Sequence, residues 1–163
     1  MSKLVEKIYA ECAPNQAPAY VERFFSTNAD GKGRVLLTLY APMGLAGLRT
    51  DLEKRVEFSL HEIETGSDMI PTIHLQWEPE GGGPFPTFKG TLTVEAGDDY
   101  SDCALALRGE YEPPFGAAGK TFDAAMGRKI AGATARELLE RIRDFIEHAY
   151  QDTEREKRAR AQA

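Results

Sequence analysis

The chain has 163 residues, 42% of them hydrophobic and 28% charged, which suits one globular domain with a single core and excludes a disordered or fibrous chain. A net charge of -6 argues against general nucleic-acid binding, which needs a clustered positive surface. The only strongly basic run, "REKRAR" at Arg155 to Arg160, is interrupted by Glu156 and reads as a solvated, fraying end, so the domain is set at 1–150 with a charged tail at 151–163. No apolar run reaches the length of a bilayer span, and the N-terminal "MSKLVEKIYA" alternates instead of forming a signal-type apolar block, so cytoplasmic residence is the default expectation.

In chain order, Lys3 to Ala10 reads as a strand ended by the turn formers of "APNQAP". Ala17 to Phe25 follows as a short helix, with Tyr20, Val21, Phe24 and Phe25 at helical spacing. "STNADGKG" stops it, and Val35 to Tyr40 resumes as strand through Val35, Leu37 and Leu39.

The middle of the chain has period two. Val56, Phe58 and Leu60 oppose Arg55, Glu57, Ser59 and His61, and Ile73, Leu75 and Trp77 oppose His74, Gln76 and Glu78. Phe88, Leu92 and Val94 repeat the pattern against Lys89, Thr91, Thr93 and Glu95, and Cys103, Leu105, Leu107 and Tyr111 close it. Turns at "TGSD", "EPEGGGP" and "EAGDDYSD" separate these strands, which describes an antiparallel meander with one solvated face. Then the period changes. Phe122, Met126, Ile130, Thr134, Leu138, Ile142, Phe145 and Ala149 form an apolar stripe at helical spacing from Thr121 to Tyr150. At about 1.5 Å per residue, a helix of roughly 30 residues is long enough to cross a whole sheet. The expected fold is α+β: six or seven antiparallel strands wrapped around a long C-terminal helix.

Residues that carry chemistry are sparse. His61, His74 and His148 lack any His-x-His, H-E-x-x-H or Cys/His cluster, and the distant pair Cys12 and Cys103 has no redox or zinc spacing. Neither a metal nor a cofactor is expected. The carboxylates Glu53, Glu57, Glu62, Glu64 and Glu78 mostly alternate to solvent. Glu110, Glu112 and Asp123 flank the junction of last strand and helix, where loops surround a pocket mouth. Lys54 shares the parity of Val56 and Phe58, so it either places a charge at a cavity edge or snorkels out. Gly-Lys-Thr at 119–121 raises the question of a phosphate loop, but Pro114 stands where the first glycine of that motif belongs. A hinge made flexible by Gly116 and Gly119 is the alternative reading.

The order strand, short helix, long meander and long C-terminal helix resembles the START-like helix-grip superfamily, also called SRPBCC, which includes polyketide cyclase/dehydrase-like and lipid-transfer proteins. The local resemblance is carried by "LALRGEYEPPFGAAGKTFDAAMGRKIAGATARELLERI", Leu105 to Ile142, with its final strand, Tyr-x-Pro-Pro-x-Gly turn and gripping helix. Two features depart from that pattern. The first helical segment is short, and six strands are evident where seven are usual, unless a seventh lies around "APMGLAGLR".

The resemblance implies a hydrophobic small molecule, such as a lipid, isoprenoid or polyketide-like compound, held between sheet and helix. The residues expected to line that space are Phe58, Ile73, Leu75, Trp77, Phe88, Leu92, Leu105 and Leu107 from the sheet, Tyr111 and Phe115 at the mouth, and Phe122, Met126 and Ile130 as the roof. Gly90 and Gly109 share the inward parity and permit bending or space. Two rival readings stay open at this point. One is a cyclase, dehydratase or hydrolase using Glu110, Asp123 or Tyr111 as acid or base. The other is a protein-interaction module with a solid core, and a protein partner or homodimer is compatible with any of the three.

Overall fold

The computed structural model describes residues 2–45, 48–82, 85–112 and 124–162, with the side chains at 41–45, 48–52 and 124–126 excepted. The chain runs β1 (Ser2–Ala10), α1 (Ala17–Thr27), β2 (Val35–Leu45), β3 (Leu48–Leu60), β4 (Glu64–Thr65), β5 (Pro71–Pro79), β6 (Thr87–Ala96), β7 (Cys103–Glu112) and α2 (Ala124–Ala161). The seven strands form one sheet in the order β1-β7-β6-β5-β3-β2, with β4 beside β5, and every described strand pairing is antiparallel. This is the expected α+β arrangement.

Two local readings are corrected. "APMGLAGLR" is no separate strand: it falls at the facing ends of β2 and β3, where Pro42 pairs with Asp51 and Gly44 with Arg49. The seventh strand is the two-residue β4, which overlaps the turn read at "TGSD" only at Thr65. Pro42 is tolerated because β2 is an edge strand. Leu36 and Tyr40, of the same parity, both direct their N–H groups away from β3, to Asn28 O and to the Glu137 carboxylate, so the N–H that proline lacks would face the free edge.

The other correction concerns the C-terminus. The segment read as a frayed tail is helical through Ala161, making α2 about 57 Å long at 1.5 Å per residue. Tyr20 Oη on α1 shares a hydrogen bond of 2.9 Å with Thr153 Oγ1, tying this extension to the domain. Pairs one turn apart, Arg155 with Asp152 and Lys157 with Glu154, add small increments along its surface.

The inner face of α2 buries Ile130, Ala131, Thr134, Ala135, Leu138, Leu139, Ile142 and Ile146, and its flanks reach both free edges of the sheet. On β2, the Tyr40 N–H donates to Glu137 Oε2 and Arg141 Nη1 donates to Thr38 O. On the β1 side, Arg136 Nη2 lies 2.9 Å from Glu6 Oε2, and the Glu11 N–H donates to Glu147 Oε1 at 2.9 Å. On β2 the helix therefore caps edge groups that would otherwise invite another strand.

Burial pushes the Glu137 carboxyl above the ordinary glutamate range, against the Tyr40 N–H and Arg141, which favour its ionised form. A carboxyl raised in the folded state contributes stability that is complete below its unfolded value and is lost as pH rises through the folded one. Glu137→Gln keeps an acceptor for Tyr40 and removes that titration. Urea midpoints are therefore expected to favour the variant over wild type more at pH 8 than at pH 4, and a gap that widens on acidification would contradict this account.

Candidate functional site

Strand register sorts the inward side chains into rows. One row crosses the sheet as Val35, Phe58, Trp77, Phe88 and Tyr111, on β2, β3, β5, β6 and β7. The next holds Leu60, Leu75, Gly90, Gly109 and Leu4. Then come Ile73, Leu92, Leu107 and Glu6, followed by Val94, Leu105 and Ile8. Alternation within each strand puts all of these on the α2 side, because successive residues point to opposite faces.

The aromatic row is continuous. Trp77 stacks on Phe88 with ring centroids 4.5 Å apart at 21° and meets Phe58 at 5.8 Å. Phe58 leads through Phe25 and Phe24 to Phe145 on α2. Trp77 Nε1 donates to Pro86 O at 3.0 Å, so the buried indole presents only apolar surface. Beside this row the Phe88 ring lies across Gly90 and Gly109. A Cβ on either glycine would come within 2.7 or 2.8 Å of Phe88 Cζ, and within 2.2 or 2.3 Å of the backbone oxygen opposite. The space those glycines leave is thus occupied by Phe88 and by the close approach of two backbones.

Of the residues expected to line the site, Phe58, Ile73, Leu75, Trp77, Phe88, Leu92, Leu105, Leu107, Tyr111 and Ile130 are all buried and belong to one cluster. Phe115 and Phe122 lie outside the described residues, as do the hinge glycines Gly116 and Gly119, the Gly-Lys-Thr stretch and Asp123. Met126 is on α2 but its side chain is not described. The same cluster takes in Leu4, Ile8, Leu37, Leu39, Val56, Val94 and Phe85. Strand parity carries a signal for the first six. Phe85 has none, because it sits in the β5–β6 turn and is buried only by tertiary packing.

Polar side chains on this inner side are few. Tyr111 is 3% exposed, yet its hydroxyl has no hydrogen-bond partner among the described residues. Among the described residues no fully buried side-chain donor or acceptor lacks a partner. Lys54, opposite Leu39, is half-buried and also unpaired among the described residues. Thr134 is buried with its hydroxyl donating to Ile130 O at 2.9 Å, and Glu6 is paired with Arg136.

The outer face is charged, as alternation predicts. Glu95 takes Arg108 at 2.7 Å and Lys7 at 3.2 Å. Burial raises its carboxyl, but hydrogen bonds from Arg108, Lys7 and Thr93 outweigh that and hold it below the usual range. Glu110 lines a polar groove of about 280 Å³ on this outer side with Glu57, Glu78 and Glu112. It and Tyr111 therefore face opposite sides of β7 and form no common acid–base pair. His61 and His74 line another outer groove, of about 480 Å³. Among the described residues no cluster of three or more His, Cys, Asp or Glu is placed to hold a metal. Both cysteines are free and buried, and burial pushes Cys12 up to about 12 and Cys103 to about 11, which leaves them unreactive as thiolates.

An apolar groove of about 350 Å³ opens between α1 and the end of β3, bordered by Phe25, Val35, Leu60, Ile63 and Ile73. It reaches the inner cluster directly, since Phe25 and Ile73 are members of both. No described helix is long and apolar enough to cross a membrane.

No family model and no curated protein sequence matches the chain. Two crystal structures are similar in fold. A conserved protein from Geobacillus kaustophilus superposes with a TM-score of 0.56 at 11% identity, covering 91% of this chain and 97% of that one. A protein from Thermus thermophilus superposes with a TM-score of 0.53 at 12% identity, covering 91% of this chain and 99% of that one. At such identities the likeness establishes a shared architecture over nearly the full length of all three chains, a sheet closed by a long C-terminal helix.

Proposed function

We propose that this protein binds a hydrophobic small molecule between the inner face of the sheet and α2, in the manner of START-like helix-grip proteins. The observation that carries the reading is the inner face itself. Four successive rows, from Phe58 and Trp77 to Val94 and Leu105, are apolar apart from Tyr111 and Ser2 at one end and the paired Glu6 at the edge. The backbone of α2 comes closest to β1, β7 and β2, so the helix bridges the sheet from its edges while β3, β5 and β6 form a floor. An apolar ligand on that floor gains about 25 cal/mol for each Å² of its surface removed from water. The groove between α1 and β3 offers a route to it.

Native mass spectrometry of protein taken directly from cells tests this reading. The expected result is an adduct removed by organic extraction and lost in the folded variants Leu107→Trp or Met126→Trp. If no adduct appears and a hydrophobic dye binds wild type and both variants alike, the proposal fails.

A further inference from the structure

We infer that the groove between α1 and the end of β3 is itself a binding site, for a compact two-ring aromatic molecule that carries a hydrogen-bond donor and no negative charge. It is separate from the inner floor and stands whether or not that floor holds a ligand. Two walls, each fixed by backbone hydrogen bonds, hold the groove open. On one side α1 is joined to β2, where Ala29 bridges to Val35 and the Leu36 N–H donates to Asn28 O at 3.1 Å. The turn between them is closed by the Asp30 N–H, which donates to Arg34 O at 2.7 Å, and the Asp30 carboxylate accepts the N–H groups of Lys32 and Arg34, both at 2.9 Å. On the other side the His61 N–H donates to His74 O at 3.0 Å, and Glu64 and Thr65 of β4 pair with β5.

Between these walls Phe25, Val35 and Ile73 are buried side chains that border the groove, and Leu60 and Ile63 are half-buried beside them. A preformed cleft lined by apolar side chains with a few polar groups at hand is what a small-molecule site requires. Size and charge then narrow the occupant. The groove measures about 350 Å³, roughly twice the ~150 Å³ of a cavity that takes one benzene ring, which suits two fused rings. A ring there would meet Phe25, whose own ring lies 5.9 Å from Phe58 and begins the row that runs on to Trp77 and Phe88. Glu22 and His61 also border the groove, and neither side chain forms a hydrogen bond or ion pair with the described residues. A carboxylate only accepts hydrogen bonds, so Glu22 favours a donor. Together with the net charge of -6 it disfavours an anion.

Isothermal titration calorimetry with 2-naphthol and 2-naphthoate, which share two rings and differ in charge, tests the site. Ser26 and Ala29 are exposed and border the groove, so Ser26→Trp and Ala29→Trp can each lay an indole in it without touching the core. Wild type is expected to bind 2-naphthol about tenfold or more tighter than 2-naphthoate. At least one of the two tryptophan variants should weaken 2-naphthol about tenfold, while a folded Leu107→Trp protein, altered on the inner floor, should bind it as wild type does. Naphthoate bound as tightly as naphthol, or naphthol binding that survives both Ser26→Trp and Ala29→Trp, overturns the inference. Loss of naphthol binding in Leu107→Trp alone also overturns it, because the occupant then lies on the inner floor. If wild type binds no 2-naphthol, the groove site fails and the inner-floor reading is decided separately by its cellular adduct.

Discussion

Gly109→Ala is expected to destabilise the protein by about 3 kcal/mol or more, at or beyond the upper end of ordinary overpacking. The new methyl would stand 2.3 Å from Lys89 O, 2.7 Å from Gly90 Cα and 2.8 Å from Phe88 Cζ. Phe88 can turn away, but the two backbone atoms move only if β6 and β7 separate in mid-ladder. Gly90→Ala meets the mirror-image obstruction, with Arg108 O at 2.2 Å. The double variant should cost less than the sum of the two, because one strand separation relieves both contacts. Gly31→Ala is the control: nothing lies within 4 Å of its Cβ position, and a change within about 0.5 kcal/mol is expected. Chemical denaturation followed by circular dichroism decides the matter, and a Gly109→Ala midpoint equal to that of Gly31→Ala would falsify the close-approach account.

Trp77→Ala carries the other large expected effect, a loss of about 3–5 kcal/mol. The substitution removes the stack on Phe88 and the contact with Phe58, and it deprives Pro86 O of its indole donor. Trp77→Phe separates the two contributions. It keeps a ring against Phe88 and forfeits the hydrogen bond, worth about 1 kcal/mol, together with part of the packing. Because Trp77 is the only tryptophan, far-UV circular dichroism is the readout for these variants. A Trp77→Ala protein as stable as Trp77→Phe would show that the aromatic row contributes little.

How far the sequence reached can be judged from particular residues. Phe58, Ile73, Leu75, Trp77, Phe88, Leu92, Leu105 and Leu107 are legible because a strand with one dry face writes its burial pattern at period two. The α2 stripe is legible because its period shifts to 3.6. Pro42 and Gly44 read as breakers because local propensity does not know that β2 ends the sheet, where a missing N–H costs nothing. Residues 151–161 read as a frayed end because their composition is charged, whereas the Tyr20–Thr153 hydrogen bond and the buried helix before them carry the helix onward.

Alternation and helical periodicity, both properties of neighbours along the chain, determined the α+β class, the inward set on each strand and the helix that covers them. Register is a property of pairs distant in sequence, and it belongs to the tertiary structure. Only register aligns Val35, Phe58, Trp77, Phe88 and Tyr111 into one row and sets Gly90 against Gly109 beneath the Phe88 ring. The capping of the β2 edge by Glu137 and Arg141 has the same origin, because charged residues on an amphipathic helix read as a solvated face until the fold places a strand's unpaired backbone beside them.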